Sequence, residues 1–303
     1  MQTTRLLYFA LCLCLCLWGA TACDEPSDSE FKSDLYRAAP PTEMIYVEAG
    51  AFTMGSDYDP DPDFLSGEID EPFSDEHPER TVELSAYWIE RSEVTNAQYR
   101  ACVWAKVCTD PQTNRAAGID EYYTSHAYDD YPVVNVTWRM AADYCQWRGR
   151  RLPTEAEWEK AARGAADERI YSWGWQEPVC GLADISVPRL KSSDSTEWYE
   201  TCYGRPVAVG YYGNAASPYG ATEMTGNVAE WTADYYAADY YDPELWPDND
   251  VDPSGPSAGD RRVTRGGSFA ATAMYARVTY RDPIPESFYD PTVGFRCAGE
   301  SQP

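Results

Sequence analysis

The stretch Arg151-Leu-Pro-Thr-Glu-Ala-Glu-Trp-Glu159 is the most informative part of this 303-residue chain. Thr154 and Glu157 have the spacing of a capping box, in which the threonine oxygen and the glutamate side chain satisfy free backbone donors in the first turn of a helix. Acidic residues in that turn suit the helix dipole, and Trp158 would anchor the helix in a core. The stretch therefore predicts a turn that leads into a capped helix, which we expect to end before Gly164.

Two further helix starts lie upstream of this stretch. Thr95 and Gln98 form a second capping box, and Thr137 is a suitable cap for a helix that continues to about Trp147. Short runs rich in β-branched and aromatic residues predict strands, and these runs are Met44–Val47, Thr81–Ile89, Arg262–Arg265, Arg277–Arg281 and Gly294–Cys297. A few early helices followed by irregular, turn-rich β structure indicate an α+β fold, and no internal repeat is evident.

The segment 57–79 is crowded with acidic residues and proline and contains no lysine or arginine. Four ligand positions of an EF-hand loop are matched by Asp57, Asp59, Asp61 and Glu68. However, Pro62 stands where that loop needs a glycine for its sharp turn. We therefore expect an exposed acidic loop here rather than a calcium site.

The amino terminus has the layout of an export signal. Arg5 precedes the apolar run Leu6–Trp18, and small residues follow before Cys23. Cleavage there would remove residues 1–22 and leave a cysteine that can carry lipid, as in bacterial lipoproteins. The alternative is ordinary cleavage after Ala22, which would give a secreted soluble protein. Residues 23–42 then form a lipid-anchored acidic linker, and residues 43–300 form one globular domain.

The formal net charge of −26 at pH 7 limits which classes of molecule this protein is expected to bind. Nucleic acid binding requires a basic face, and none is visible in the sequence. The same charge disfavours adhesion to anionic lipid, so contact with a membrane is expected through the lipid anchor only. A strongly acidic surface also keeps an exported protein soluble.

Six cysteines lie in the domain, and in an oxidising compartment an even number predicts three disulfides. Sequence alone permits many pairings. Proximity in the chain suggests Cys102–Cys108 and Cys180–Cys202, which leaves Cys145–Cys297. The last bridge would close a long loop, where a crosslink restricts the unfolded chain most.

Several blocks of the domain, in order, resemble the sulfatase-modifying factor family, whose founding members are the formylglycine-generating enzymes with a C-type-lectin-like core. The blocks are Phe52–Gly55, Glu93–Asn96, Pro132–Trp138, Arg151–Glu159, Gly226–Trp231, Arg265–Ser268 and Gly294–Cys297. The resemblance implies a single α+β domain of that fold, with much irregular structure and disulfide staples. It also supports the bridge Cys145–Cys297, because some formylglycine-generating enzymes link cysteines at these two blocks.

Enzymes of this family oxidise a sulfatase cysteine to formylglycine with molecular oxygen and a copper ion held by two thiolates. Those cysteines follow the Arg-Gly-Gly-Ser block. Here residues 269–277 read Phe-Ala-Ala-Thr-Ala-Met-Tyr-Ala-Arg, and no cysteine occurs between Cys202 and Cys297. Soft Cu(I) prefers soft sulfur ligands, so we do not expect copper in this protein.

The resemblance also implies a structural calcium ion. The matching positions are the side chains of Glu223 and Glu230 and the carbonyl groups at Gly226 and Val228. Oxygen ligands of this kind suit a hard cation. The alternative is that these glutamates pair with arginine in the core.

Other catalytic chemistry has little support in the sequence. The two histidines, His77 and His126, are isolated and offer no three-histidine metal site. Ser268 lacks the surroundings of a nucleophile elbow, so we expect its hydroxyl to bond the backbone. With 50 acidic residues, some carboxylate pair must have the spacing used in glycoside hydrolysis, so that spacing is not informative.

These observations favour an exported, envelope-anchored protein that is a non-catalytic binding or structural module for a peptide, protein or glycan ligand. Tyrosine and tryptophan in the late loops would supply stacking surfaces. The alternative function is an oxidase of the formylglycine-generating type, or another enzyme of the family, that acts through an unrecognised site. A third possibility is that the domain assists maturation of a secreted partner without chemistry.

Overall fold

The computed structural model describes residues 42–57, 73–165, 169–190, 197–247 and 250–300. The predicted signal peptide, Cys23, the linker up to residue 41 and the EF-hand-like residues Asp59, Asp61 and Glu68 lie outside these ranges. Within the ranges, no helix combines the length and the apolar character needed to cross a membrane.

The three predicted α-helices are confirmed: α1 is Asn96–Trp104, α2 is Trp138–Trp147 and α3 is Glu155–Arg163. At the start of α3, the backbone N–H of Glu157 donates to Thr154 Oγ1 (3.2 Å), and Glu157 Oε2 accepts from the N–H of Thr154 (2.8 Å). Gly164 follows the last residue with φ 90°, which a residue with a side chain rarely adopts. The capping pattern therefore predicted both ends of this helix correctly.

The strands form small sheets. They are β1 Met44–Val47, β2 Gly50–Met54, β3 Arg80–Leu84, β4 Tyr87–Glu90, β5 Ser186–Leu190, β6 Glu197–Thr201, β7 Ala229–Tyr235, β8 Arg262–Arg265, β9 Asp282–Ile284, β10 Val293–Gly294 and β11 Ala298–Gly299. The sheet orders are β1-β4-β11, β10-β7-β8-β9, β2-β3 and β5-β6. Helices and mainly antiparallel sheets together give the α+β architecture expected from the sequence.

The predicted strand Thr81–Ile89 is in fact two strands. The backbone N–H and the hydroxyl of Ser85 both donate to the carboxylate of Asp252, each at 2.7 Å. This contact interrupts the run, so that β3 pairs with β2 while β4 pairs with β1 and β11. Apolar alternation alone could not locate the break, because Asp252 is distant in sequence.

Two of the late strand predictions need correction. Residues 277–281 are not a strand, because the buried side chains of Arg277 and Arg281 reach inward to Glu76 and Glu155. The segment Gly294–Cys297 is also not one strand, since β10 ends at Gly294 and β11 begins at Ala298. The prediction for Arg262–Arg265 is confirmed as β8.

The acidic segment 57–79 is not an exposed loop throughout. Phe73 is buried, and Glu76 is only 1% exposed in a short 3-10 helix, Ser74–Glu76. Glu76 can be buried because its two carboxylate oxygens accept hydrogen bonds from the two Nη atoms of Arg277, at 2.6 and 2.8 Å. The expectation was wrong here because the partner arginine is about two hundred residues away in the chain.

All three predicted disulfides are formed: Cys102–Cys108, Cys145–Cys297 and Cys180–Cys202. The middle one spans 152 residues and links α2 to the segment between β10 and β11. It therefore joins the centre of the domain to its carboxyl-terminal end.

Helix α3 organises the core through charge as well as apolar packing. Trp158 is fully buried, and on the same helix Glu155 and Glu159 contact the buried guanidinium group of Arg265. Glu155 Oε1 also forms an ion pair with Arg281 Nε, at 2.7 Å. Buried charges are tolerated only when they are paired in this way, so these contacts fix the position of Arg265 at the end of β8.

Candidate functional site

A cleft of about 320 Å³ opens where β8 ends and the chain turns through Gly266 and Gly267. Both glycines have left-handed φ values, 89° and 67°. A Cβ atom at Gly267 would lie 2.6 Å from the carbonyl oxygen of Tyr275. Glycine is therefore required for the following loop to fold back against β8 and line the cleft.

Aromatic side chains form part of the wall. The rings of Tyr275 and Tyr280 meet edge to face, with centroids 5.2 Å apart, and Phe73 packs against both. Phe288 also lines the cleft and is 39% exposed. Burial raises the pKa of Tyr280, so its hydroxyl remains protonated at neutral pH.

Among the described residues that line the cleft, two are charged, Arg265 and Asp282. Arg265 is neutralised by its contacts with Glu155 and Glu159. Asp282 begins β9, and its backbone carbonyl accepts from the hydroxyl of Thr264 at 3.1 Å. Within the described ranges, no side chain forms a hydrogen bond or an ion pair with the Asp282 carboxylate.

The environment of Asp282 perturbs its ionisation. Burial raises the pKa of this carboxyl group, the charge of Arg261 lowers it, and Asp75 raises it further. Arg261 donates to the carbonyl of Pro283 at 2.8 Å rather than to the carboxylate. An unpaired carboxyl group with a perturbed pKa in a cleft is a recognised sign of a functional site.

The described residues that line the cleft do not form a ligand set that fits copper. Ala270 and Ala271 line it where the loop follows the Arg-Gly-Gly-Ser block, and none of the described residues lining it is cysteine or histidine. The oxygen ligands that its described side chains offer are the hydroxyls of Thr264, Ser268, Tyr275, Tyr280 and Thr292 and the carboxylate of Asp282. These hard oxygen donors do not fit a copper ion held by two thiolates.

The predicted calcium residues adjoin this cleft without lining it, since Glu230 pairs with Arg265 between β7 and β8 and the neighbouring Ala229 lines the cleft. Both carboxylate oxygens of Glu230 accept from Arg296, each at 2.7 Å, and Oε2 also accepts from Trp158 Nε1 at 2.8 Å. The oxygens of Glu223 accept from the backbone N–H groups of Gly210 and Tyr212, at 2.9 and 3.0 Å. Each carboxylate thus has protein donors, and a calcium ion would share Glu230 with Arg296.

The backbone between these glutamates is tightly packed. A Cβ atom at Gly226 would lie 2.5 Å from the carbonyl oxygen of Asp184, and Val228 is fully buried. No group of three or more acidic, histidine or cysteine side chains within the described part of the chain is arranged to hold a metal ion. Calcium at Glu223, Gly226, Val228 and Glu230 stays a prediction.

Glu93 is a third buried acid beside this pair. Its Oε1 accepts from Asn227 Nδ2 at 2.8 Å, and its Oε2 has no hydrogen-bond partner among the described residues. Burial raises the pKa of Glu93 well above its ordinary value, and the charges of Glu223 and Glu230 raise it further. This carboxyl group is therefore favoured in its neutral form.

Ser268 and the two histidines show no catalytic arrangement. Ser268 Oγ accepts from the backbone N–H of Ala270 at 3.3 Å, which is the local contact that we expected. His77 lies 3.8 Å from Asp57, and exposed His126 lies 3.0 Å from Asp129. Neither histidine lines the cleft.

The residues that distinguish this cleft could not be predicted from the sequence. Asp282 is one of 50 acidic residues, and nothing in its neighbourhood distinguishes it from the others. Tyr275 and Tyr280 are two of 24 tyrosines in a chain that is rich in aromatic residues throughout. The sequence offers one indication of their role, which is their position: Tyr275, Tyr280 and Asp282 all follow the Arg265–Ser268 block within about twenty residues.

Comparisons with known proteins identify relatives of this chain. The family described as "Sulfatase-modifying factor enzyme 1-like domain" matches residues 32–301. The formylglycine-generating enzyme of Thermomonospora curvata is 32% identical over 310 residues, which cover 85% of this chain and 93% of that protein. Hercynine oxygenase of Mycolicibacterium thermoresistibile is 32% identical over 254 residues, 70% of this chain and 51% of that protein.

A solved structure shows the same fold. PvdO from Pseudomonas aeruginosa superposes with a TM-score of 0.63 at 24% identity, over 86% of this chain and 95% of that chain. The fold is therefore that of the formylglycine-generating-enzyme-like proteins with a C-type-lectin-like core. The chain belongs to the sulfatase-modifying factor family.

Proposed function

We propose that this chain is an exported, envelope-anchored member of the family that binds a peptide, protein or glycan in the cleft beside Arg265–Ser268 without oxidising it. The observation that carries the proposal is the lining of the cleft. Its described lining residues include hydroxyls and one carboxylate but no thiol.

Chemical softness is the reason that this lining disfavours oxidation. Thiolates select Cu(I), whereas hydroxyl and carboxylate oxygens suit hard cations. The six cysteines of the domain are all in disulfides, so none of them supplies a free thiolate to the cleft. Oxidation of a peptide cysteine would need another source of redox chemistry.

The same lining supports a binding role. A volume of about 320 Å³ lies within the range of small-ligand and peptide pockets. Tyrosine rings offer apolar faces together with hydroxyl groups, a combination that is enriched at recognition sites.

Export and anchoring rest on the amino-terminal sequence. The apolar run Leu6–Trp18, the small residues before Cys23 and the three disulfides of the domain all suit an oxidising compartment outside the cytosol. A fractionation experiment tests the anchor. The full chain should be found with membranes in a bacterial host, and Cys23→Ala should release it. Equal distribution of both proteins would instead favour secretion as a soluble protein.

A second candidate function is an oxidase that acts through a different site. It is favoured by the 32% identity with the formylglycine-generating enzyme of Thermomonospora curvata. Copper stoichiometry separates the two candidates. The mature protein with its disulfides intact is titrated with Cu(I) against a competing chelator, and that enzyme serves as the positive control. We expect no stoichiometric copper in our protein, and one tightly held copper per chain would favour the oxidase.

A further inference from the structure

We propose that the disulfide Cys180–Cys202 is a redox-sensitive clamp that a dithiol reductant opens, and that its opening loosens the loop that carries Ala270 and Ala271 in the wall of the cleft. The reductant is a protein or a small molecule with two neighbouring thiols. The consequence for ligand binding rests on the proposed function, because it assumes that this cleft is the ligand site.

Solvent access separates this bridge from the other two disulfides of the domain. Cys180 and Cys202 are both partly exposed. The four cysteines of the other bridges are buried, with exposed fractions of 8% or less. A thiolate must reach a sulfur atom in order to attack a disulfide, and exposed bridges are the labile ones for this reason. Cys180–Cys202 is therefore the preferred site of reduction.

The electrons for opening the bridge come from the reductant. One thiolate of the dithiol attacks one sulfur of the bridge, the sulfur–sulfur bond breaks, and the leaving cysteine takes up a proton. The second thiolate of the reductant then displaces the other cysteine from the mixed disulfide. Cys180 and Cys202 gain two electrons and two protons and become thiols, and the dithiol is oxidised to a disulfide.

The bridge lies at the base of the hairpin formed by β5 and β6. Ser186 begins β5 and pairs with Thr201, the last residue of β6, and Cys202 follows Thr201 directly. Cys180 precedes β5 in the chain. The disulfide therefore ties the segment that leads into β5 to the residue that follows β6.

The same end of the hairpin holds the cleft loop. The backbone N–H of Ser186 donates to the carbonyl of Ala271 at 2.8 Å, and the Ser186 hydroxyl donates to the carbonyl of Ala270 at 3.3 Å. Both alanines line the cleft. A displacement of Ser186 is therefore transmitted directly to the wall of the cleft.

Opening the bridge leaves noncovalent restraints at this point. The N–H of Cys202 donates to the carbonyl of Ile185 at 3.0 Å, and the N–H of Tyr203 donates to Asp184 Oδ1 at 3.2 Å. Hydrogen bonds near the surface open and close by local fluctuation in the native state, whereas a covalent bridge stays closed. Reduction should therefore increase the fraction of time in which Ser186 is detached from the cleft loop.

Graded reduction of the full mature protein tests the first part of the proposal. The protein is incubated with dithiothreitol, quenched with acid at intervals, alkylated and digested, and the labelled cysteines are mapped by mass spectrometry. We expect Cys180 and Cys202 to be alkylated together at least about tenfold faster than the other four cysteines, because their bridge is the more accessible one. The two buried bridges are internal controls. Equal rates for all three bridges, or earlier opening of a buried one, would overturn the proposal.

Hydrogen–deuterium exchange tests the coupling to the cleft and needs no ligand. It is measured on the oxidised protein and on protein in which only Cys180–Cys202 is reduced. We expect peptides that contain the amides of Ser186, Phe269 and Ala271, which are hydrogen-bonded in the structure, to exchange at least about fivefold faster after reduction. Helix α3 should exchange at the same rate in both states. Unchanged exchange in the cleft loop would refute the coupling.

Two double variants provide a matched comparison without reductant. Cys180→Ser with Cys202→Ser removes the clamp and should show the fast exchange of the reduced protein. Cys102→Ser with Cys108→Ser removes a bridge at the end of α1, outside the cleft, and should leave the exchange of the cleft loop as in wild type. Fast exchange of the cleft loop in both variants would show a general loss of stability, and the proposal would be wrong. The reduced wild-type protein keeps the test in force if a variant fails to fold.

The outcomes also distinguish this inference from the proposed function. Unchanged exchange after reduction would overturn the clamp and leave a binding role in place. Conversion of a cysteine peptide to an aldehyde by the oxidised protein would instead overturn the proposed function and leave the redox clamp in place.

Discussion

Arg296 and Glu230 form a two-point ion pair inside the domain, with Nε to Oε2 and Nη2 to Oε1 both at 2.7 Å and both side chains fully buried. Arg296 also donates to the carbonyl groups of Glu90, Arg91 and Thr222. The pair therefore links β7 to the carboxyl-terminal segment and to the loop after β4. It shows that Glu230, which the family resemblance assigns to calcium, serves first as the partner of an arginine.

Removing one member of this pair should be costly. We expect Glu230→Ala to lower the free energy of unfolding by about 3 to 5 kcal/mol, because Arg296 would remain buried without a counter-charge. Urea denaturation measures the change. The matched control is Asp143→Ala, which breaks an exposed pair with Arg139 on α2 and should cost less than about 0.5 kcal/mol. Similar losses in both variants would contradict this account of the core.

Calcium is tested by thermal unfolding in EDTA and in excess Ca²⁺. Because Arg296 already neutralises Glu230, we expect the contribution of calcium to depend mainly on Glu223. Calcium at about 100 times its dissociation constant should stabilise the protein by roughly 2.7 kcal/mol, and Glu223→Gln should remove that gain. A wild-type melting temperature that is the same in EDTA and in calcium would refute the predicted site.

The disulfide Cys145–Cys297 should contribute more stability than Cys102–Cys108. The two bridges span 152 and 6 residues. Loop-closure entropy then predicts that replacing the first pair by alanine costs roughly 3 kcal/mol more than replacing the second. Denaturant midpoints of the two double variants provide the comparison, and equal midpoints would show that the long bridge does not act through the unfolded chain.

Asp234 should make stability fall as pH rises. Burial raises the pKa of this carboxyl group well above its ordinary value, the charges of Glu155 and Glu157 raise it further, and Arg281 lowers it. A raised pKa in the folded state means that the folded protein binds this proton more tightly than the unfolded chain does. The contribution of Asp234 to stability is therefore fully present below the pKa that Asp234 has in the unfolded chain, and it is lost as the pH rises through the pKa of the folded state.

Asp234→Asn keeps an oxygen that can accept from the backbone N–H of Glu155 and cannot ionise. We therefore expect the variant to lose stability less steeply than wild type between about pH 4 and pH 8. Free energies of unfolding at several pH values across this range provide the test. Parallel curves for the two proteins would show that Asp234 does not titrate in this way.

Local sequence signals predicted the helices and disulfides because each depends on a few nearby residues or on simple pairing. Thr154 and Glu157 specify the start of α3, and Gly164 specifies its end. Contacts between distant residues could not be predicted. Asp252 interrupts a strand by accepting hydrogen bonds from Ser85, and Arg277 allows Glu76 to be buried by pairing with its carboxylate. Neither contact produces a periodic pattern of residues in the sequence.

The candidate site was only partly predictable for the same reason. The absence of cysteines between Arg265–Ser268 and Cys297 is visible in the sequence and remains the basis of the proposed function. The importance of Asp282 arises from its partial burial, the lack of a side-chain partner among the described residues and the aromatic residues that line the same cleft. These properties exist only after β8, β9 and the intervening loop have come together.

The most direct test of the central claim is the mass of a peptide. The mature protein, with its disulfides intact, is incubated with Cu(I), oxygen and a peptide that carries the sulfatase motif Cys-x-Pro-x-Arg. The formylglycine-generating enzyme of Thermomonospora curvata serves as the positive control. We predict an unchanged mass with our protein and conversion of the cysteine to formylglycine in the control. Conversion by our protein would show that the two thiolates are dispensable and would contradict the assignment of the cleft as a non-catalytic binding site.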